Sequence, residues 1–152
     1  MNITLDDLNA MTQDRLDALF AGSAAGPIPD GDAKGAAIIL AGTVWQRPLA
    51  ALATHCFWQG KVFDEKNGEL VNKILPFGMQ AIKAKVYMAP SWVDNKECIV
   101  LDYSHTSLLF GSIRDEIREV SPCVYLGVVF IGKRKTINFA LEFPQPAASA
   151  RQ

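Results

Sequence analysis

The amino-acid sequence predicts a mainly β protein (α+β) in which an antiparallel meander closes, or nearly closes, into a small barrel behind two N-terminal helices. Three observations carry this reading. Helical periodicity is confined to the first third of the chain. From Phe57 onward, short apolar runs follow at close spacing, each ended by a Gly, Pro, Asn or Asp turn. Seven or eight consecutive strands would also leave open edges unless the sheet curled and closed. A strongly curved sheet wrapped round a helix is the alternative that the same pattern allows.

Each element follows in order. Thr4 is placed to cap a helix over residues 4–20, with Asp6 and Asp7 at its positive end. Leu5, Leu8, Met11, Leu16, Leu19 and Phe20 form its apolar stripe. The run GSAAGPIPDGDAKG, residues 22–35, reads as a linker because Pro27 and Pro29 interrupt regular structure. One domain is expected, with residues 1–35 as helix and linker, 36–143 as the barrel and 144–152 as a frayed tail. Ala36–Leu40 is a short strand candidate. Arg47–His55 suits a second helix, with Pro48 in its first turn.

Phe57–Phe63 and Glu69–Leu75 flank an Asn67-Gly68 hairpin signal. Met79–Met88 and Glu97–Tyr103 come next, separated by a turn from Pro90 to Asn95. A short segment near Thr106–Phe110 precedes Ile113–Val120, Cys123–Ile131 and Thr136–Phe143.

Composition excludes several functions. A chain that is 49% hydrophobic and 20% charged is built to fold, not to stay disordered. A net charge of −1, with Lys133-Arg134-Lys135 as its longest basic run, argues against nucleic acid as a partner. No apolar run is long enough to span a bilayer, so no membrane role is expected. Cys56, Cys98 and Cys123 form no C-x-x-C pair, which fits reduced thiols and a cytoplasmic location. With only His55 and His105, and no H-E-x-x-H spacing, no metal is expected. The dispersed glycines make neither G-x-G-x-x-G nor a phosphate loop, so no cofactor is expected either.

The candidate chemistry lies in the strands. Ile113–Val120 carries five ionisable side chains, and alternation puts Arg114, Glu116 and Arg118 on one face and Asp115 and Glu119 with Ile113 and Ile117 on the other. Arg114, Glu116 and Arg118 are taken to face inward. Asp102, in a strand apolar on both faces, needs a cation, which Arg114 or Arg118 could supply. Lys85 could line a cationic wall, while Tyr103, Tyr125 and Trp58 supply aromatic surface and hydrogen bonds. His105 is a candidate acid or base.

The segments Trp58-Gln-Gly-Lys-Val-Phe-Asp64, Cys98-Ile-Val-Leu-Asp-Tyr103, Arg114-Asp-Glu-Ile-Arg-Glu119 and Tyr125-Leu-Gly127 resemble bacterial proteins of unassigned function over residues 57–143. The architecture is similar to the calycins, the lipocalin and fatty-acid-binding barrels, with Trp58-Gln-Gly60 in the order W-x-G where lipocalins have G-x-W. That likeness implies a small apolar ligand.

Three functions are therefore carried forward. The first is binding, in the barrel, of a small hydrophobic molecule bearing an acid or carbonyl group, with Arg114, Arg118, Lys85, Tyr125 and Trp58 as ligand-binding residues. The second is a cofactor-independent isomerase, lyase or cyclase in the same cavity, with Asp102 or Glu116 as base and Tyr103 or His105 as acid. The third is an interaction module, such as a homodimer, using the charged strand as an exposed edge.

Overall fold

The computed structural model describes residues 2–38, 58–74, 79–105 and 110–145, apart from the side chains of Trp58, Ile74 and Met79–Ala81. The described elements are α1 (Leu5–Asn9), α2 (Gln13–Gly22), β1 (Gly31–Ile38), β2 (Trp58–Asp64), β3 (Glu69–Ile74), β4 (Met79–Pro90), β5 (Glu97–Asp102), β6 (Ile113–Ser121), β7 (Val124–Ile131) and β8 (Arg134–Glu142). The eight strands pair antiparallel in chain order, and β8 returns to β1, so the sheet is a closed barrel. The closed meander matches the expected fold class. Each described strand has a neighbour on both sides, so the charged strand β6, paired to both β5 and β7, is not an exposed edge.

Two boundaries differ from expectation. The helix expected over 4–20 is two pieces. Thr4 and Asp7 form a reciprocal capping box on α1, which ends at Ala10, and Thr12 starts α2. The break lets Leu5, Leu8, Leu16 and Phe20 all reach a curved wall that one straight helix would leave. Strand β1 begins at Gly31, five residues before its expected start. Its Gly- and Ala-rich sequence has little strand propensity, but ladders to β2 and β8 on either side hold it. The helix expected at Arg47–His55 and most of the segment near Thr106–Phe110 lie outside the described residues.

Two apolar layers result. Phe63, Leu70, Val86, Ile99, Leu101, Ile117, Phe139 and Leu141 fill the lumen. Outside the wall, Leu5, Leu8, Leu16 and Phe20 cover Val124, Leu126, Val128, Phe130 and Ala140. Strand β7 is thus buried on both faces, which explains its unbroken apolar run.

One barrel end is plugged. Ala25 and Ile28 from the linker pack into the lumen, the Tyr125 hydroxyl donates to the Pro27 carbonyl at 2.8 Å, and the Phe143 ring meets Phe63 and Tyr125 edge-on at 5.4 and 5.6 Å. Strands β1, β3, β5 and β7 finish at the opposite end.

Candidate functional site

Toward that opposite end, the lumen holds a cavity of about 60 Å³ lined by Ala37, Ile82, Phe110, Ile113, Val129, Ile137 and Phe139 with four polar residues, Lys61, Asn72, Tyr103 and Asp115. Lys61 comes from β2 and Asp115 from β6, which face one another across an eight-stranded barrel. The Lys61 side chain spans the lumen, and its Nζ lies 3.1 Å from Asp115 Oδ2, 2.6 Å from Tyr103 Oη and 2.8 Å from Asn72 Oδ1. The Tyr103 hydroxyl also lies 3.3 Å from Asp115 and accepts from Asn72 Nδ2 at 3.1 Å. The ammonium sits 5.2 and 5.3 Å from the centres of the Phe139 and Tyr103 rings.

Local sequence explains how these groups arrive. Strand β2 bulges between Trp58 and Gly60, and a Cβ on Gly60 would stand 2.0 Å from the Ala33 carbonyl oxygen. Only glycine permits that approach, at φ 139°. The bulge sets the parity that turns Lys61 inward, directly opposite Asn72 on β3. A second bulge, on β4 across from Asn72, puts Ile82 at φ 67°. That is a strained conformation for a β-branched residue. The Ile82 carbonyl accepts from Asn72 Nδ2 at 3.1 Å, which ties the strain to the polar cluster. Gly127 faces Phe139 across β7 and β8, and a Cβ there would stand 2.2 Å from the ring, so the glycine makes room for one wall of the cavity.

Burial dominates the electrostatics. Removal from water lowers the proton affinity of Lys61, with the Asp115 charge opposing the shift. Burial raises that of Asp115, against the pull of Lys61, and burial beside Asp115 drives the Tyr103 phenol well above its ordinary range. Burial thus pushes both partners of the ion pair toward their neutral forms. Among the described residues, no three His, Cys, Asp or Glu side chains converge in a way that could hold a metal ion.

Of the expected site residues whose side chains are described, Tyr103 alone lies in this cluster. The face expected to look inward is the opposite one: Ile113, Asp115 and Ile117 enter the lumen, and Arg114, Glu116 and Arg118 point out. They are nonetheless covered, because α2 and the 91–96 turn lie over that part of the wall. Arg118, with no exposed surface, makes a bidentate pair with Asp94 at 2.7 Å, donates to the Phe20 carbonyl at 2.9 Å and stacks on the Phe20 ring. Glu116, equally buried, accepts from Ser91 Oγ, the Trp92 amide and Arg114 Nε at 2.5, 2.9 and 3.0 Å. Arg114 and Lys133 both lie against the Trp92 ring, at 4.4 and 4.3 Å. These residues fasten the outer layer to the barrel.

Asp102 is half-buried on the outside and pairs with neither arginine. Burial opposes its charge, but bonds from Ser104 and the Tyr87 hydroxyl outweigh it and hold its pKa low. Lys85 and His105 are exposed. Tyr125 lies in the lumen at the plugged end, away from the cavity. The Trp58 side chain is outside the described set. Lys61, Asn72 and Asp115 were missed. Their signal was a polar residue at apolar parity in three strands, two residues from Phe63, Leu70 and Ile113 respectively.

No family model matches the chain, and no curated protein matches it. Its fold is similar to that in a crystal structure of a protein from Thermomonospora curvata, at a TM-score of 0.61 over 89% of each chain and 16% sequence identity. At that identity the likeness is one of fold.

Proposed function

We propose that the barrel binds a small molecule whose carbonyl or acid group meets Lys61, Tyr103 and Asn72 while its short apolar body lies against Ile113, Val129, Ile137 and Phe139, a use akin to that of calycin barrels. The observation that carries this reading is the convergence of four buried polar side chains on an otherwise apolar cavity. At about 60 Å³ the cavity is smaller than the ~150 Å³ that takes up benzene, which limits the buried part of the ligand to a few non-hydrogen atoms. A carbonyl suits the site better than a carboxylate, which would stand beside the Asp115 charge.

A second reading is a cofactor-independent isomerase or lyase in the same cavity. The buried Lys61–Asp115 contact at 3.1 Å favours it, with Lys61 as base and Asp115 or Tyr103 as acid in place of Asp102, Glu116 and His105. Native mass spectrometry of protein purified from its own host tests the binding reading. The expected result is a bound small carbonyl compound that the Lys61→Met variant does not retain. A clean apo mass from both would refute a tight carrier.

A further inference from the structure

We propose that Lys61 is a covalent site, forming a reversible imine with a small aldehyde or ketone held in the barrel cavity. The inference rests on the binding reading and deepens it, by specifying the ligand class and the bond.

Imine formation needs four things: an amine that can shed its proton, an acid–base partner in contact with it, a water-poor surrounding and room for a small carbonyl compound. Lys61 is 4% exposed and lines the apolar cavity. Asp115 Oδ2 lies 3.1 Å from Nζ, close enough to take the ammonium proton and return it. Burial of the pair disfavours both charges, so this internal transfer needs no outside base. Tyr103 and Asn72 also hold the amine, at 2.6 and 2.8 Å.

The step balances within the pair. Asp115 takes one proton from the ammonium, and the freed nitrogen lone pair attacks the carbonyl carbon. The C–N bond forms as the C=O π pair moves to oxygen, which takes the proton from Asp115. The nitrogen, now cationic, gives a proton back to Asp115. Asp115 then protonates the hydroxyl, the C–O bond breaks and water leaves. The product is a protonated imine paired with the Asp115 carboxylate, with the same net charge as the starting ion pair and no change of oxidation state.

A purely structural role for the pair predicts a different reactivity order, and that separates the two. A buried, ion-paired lysine should be the last in the chain to react with an aldehyde, whereas the imine site should be the first. The wild-type protein is incubated with substoichiometric acetaldehyde and sodium cyanoborohydride at slightly acidic pH, where exposed lysines stay protonated. Peptide mapping then locates the N-ethyl group.

The expected result is modification of Lys61 ahead of the exposed Lys83 and Lys85, since burial lowers its proton affinity and Asp115 stands in contact to take the proton. Asp115→Asn should slow the Lys61 adduct while leaving the exposed lysines unchanged. Labelling of Lys83 and Lys85 ahead of Lys61 would overturn the proposal. Propionamide, a carbonyl compound that forms no imine, distinguishes the two levels by ligand-observed NMR. If propionamide binds but Lys61 is not trapped, the imine fails and the binding reading stands. If neither occurs, both fail.

Discussion

Replacing Lys61 by Met should cost stability in a strongly pH-dependent way, because the variant leaves Asp115 buried without its cation. Orphaned buried charges typically cost about 3–5 kcal/mol. Asp115 has an escape, which is to take a proton, and the cost of that escape can be worked out. Each pH unit above the ordinary aspartate value of 3.8 costs about 1.4 kcal/mol, so protonation costs about 4 kcal/mol at pH 7 and about 1.6 kcal/mol at pH 5. These figures are ceilings on the electrostatic loss. The sign follows from proton counting. In the variant the native chain binds more protons than the unfolded chain above pH 3.8, so stability falls as pH rises through that range. Urea unfolding of wild type and Lys61→Met at both pH values should therefore show a loss of up to about 4 kcal/mol at neutral pH and of no more than about 1.6 kcal/mol at pH 5. The Lys61→Met/Asp115→Leu double variant should recover most of it, since apolar replacements of buried ion pairs are often neutral or stabilising. An equal loss at both pH values, or a double variant worse than the single, would refute the reasoning.

Further outcomes follow from the same geometry. Gly127→Ala should destabilise by about 1–3 kcal/mol through its clash with the Phe139 ring, and adding Phe139→Leu should restore part of that in thermal unfolding. Asp94 is held at about 2, first by its bonds from Arg118, so its contribution is whole above its ordinary value of 3.8 and lost as pH falls toward 2. Allowing for water at this partly open position, Asp94→Asn should cost about 1–2 kcal/mol at neutral pH, a difference that an acid titration should erase. Cys98 is buried, and burial pushes its thiol up to about 12, so iodoacetamide at mildly alkaline pH should alkylate half-buried Cys123 and leave Cys98 untouched until the protein unfolds.

The strands were legible because many of their limits are chemical. β3 begins one residue after Asn67-Gly68, β4 ends at Pro90, β6 ends at Ser121 and β7 begins two residues after Pro122, and β7 and β8 flank Gly132. The helix break was not legible, since the curvature of the wall beneath α1 and α2 is a property of the closed sheet and not of residues 5–22. Nor was the start of β1, where two neighbouring ladders override weak propensity.

The site was legible in kind but not in face. A β protein of two layers has one buried face per strand, so Arg114, Glu116 and Arg118 with Asp115 opposite looked like a choice between lumen and solvent. The covering layer of α2 and the 91–96 turn adds a second buried face, and the more charged side of β6 lies there. Asp115 kept the parity of Ile113 and Ile117, and Lys61 that of Phe63. That agreement between strands distant in sequence was the usable sign, but it requires knowing that β2 and β6 oppose one another across a closed barrel.

The barrel interior as a binding site is tested most directly by methyl-labelled NMR of the wild type and the Lys61→Met/Asp115→Leu variant titrated with acetone. The wild type should show saturable shifts at the methyls of Ile113, Val129 and Ile137 around the cavity, and the double variant should lose them while remaining folded. The absence of saturable shifts, or shifts confined to exposed Met88 and Val93 on the outer surface, would contradict a site in the lumen.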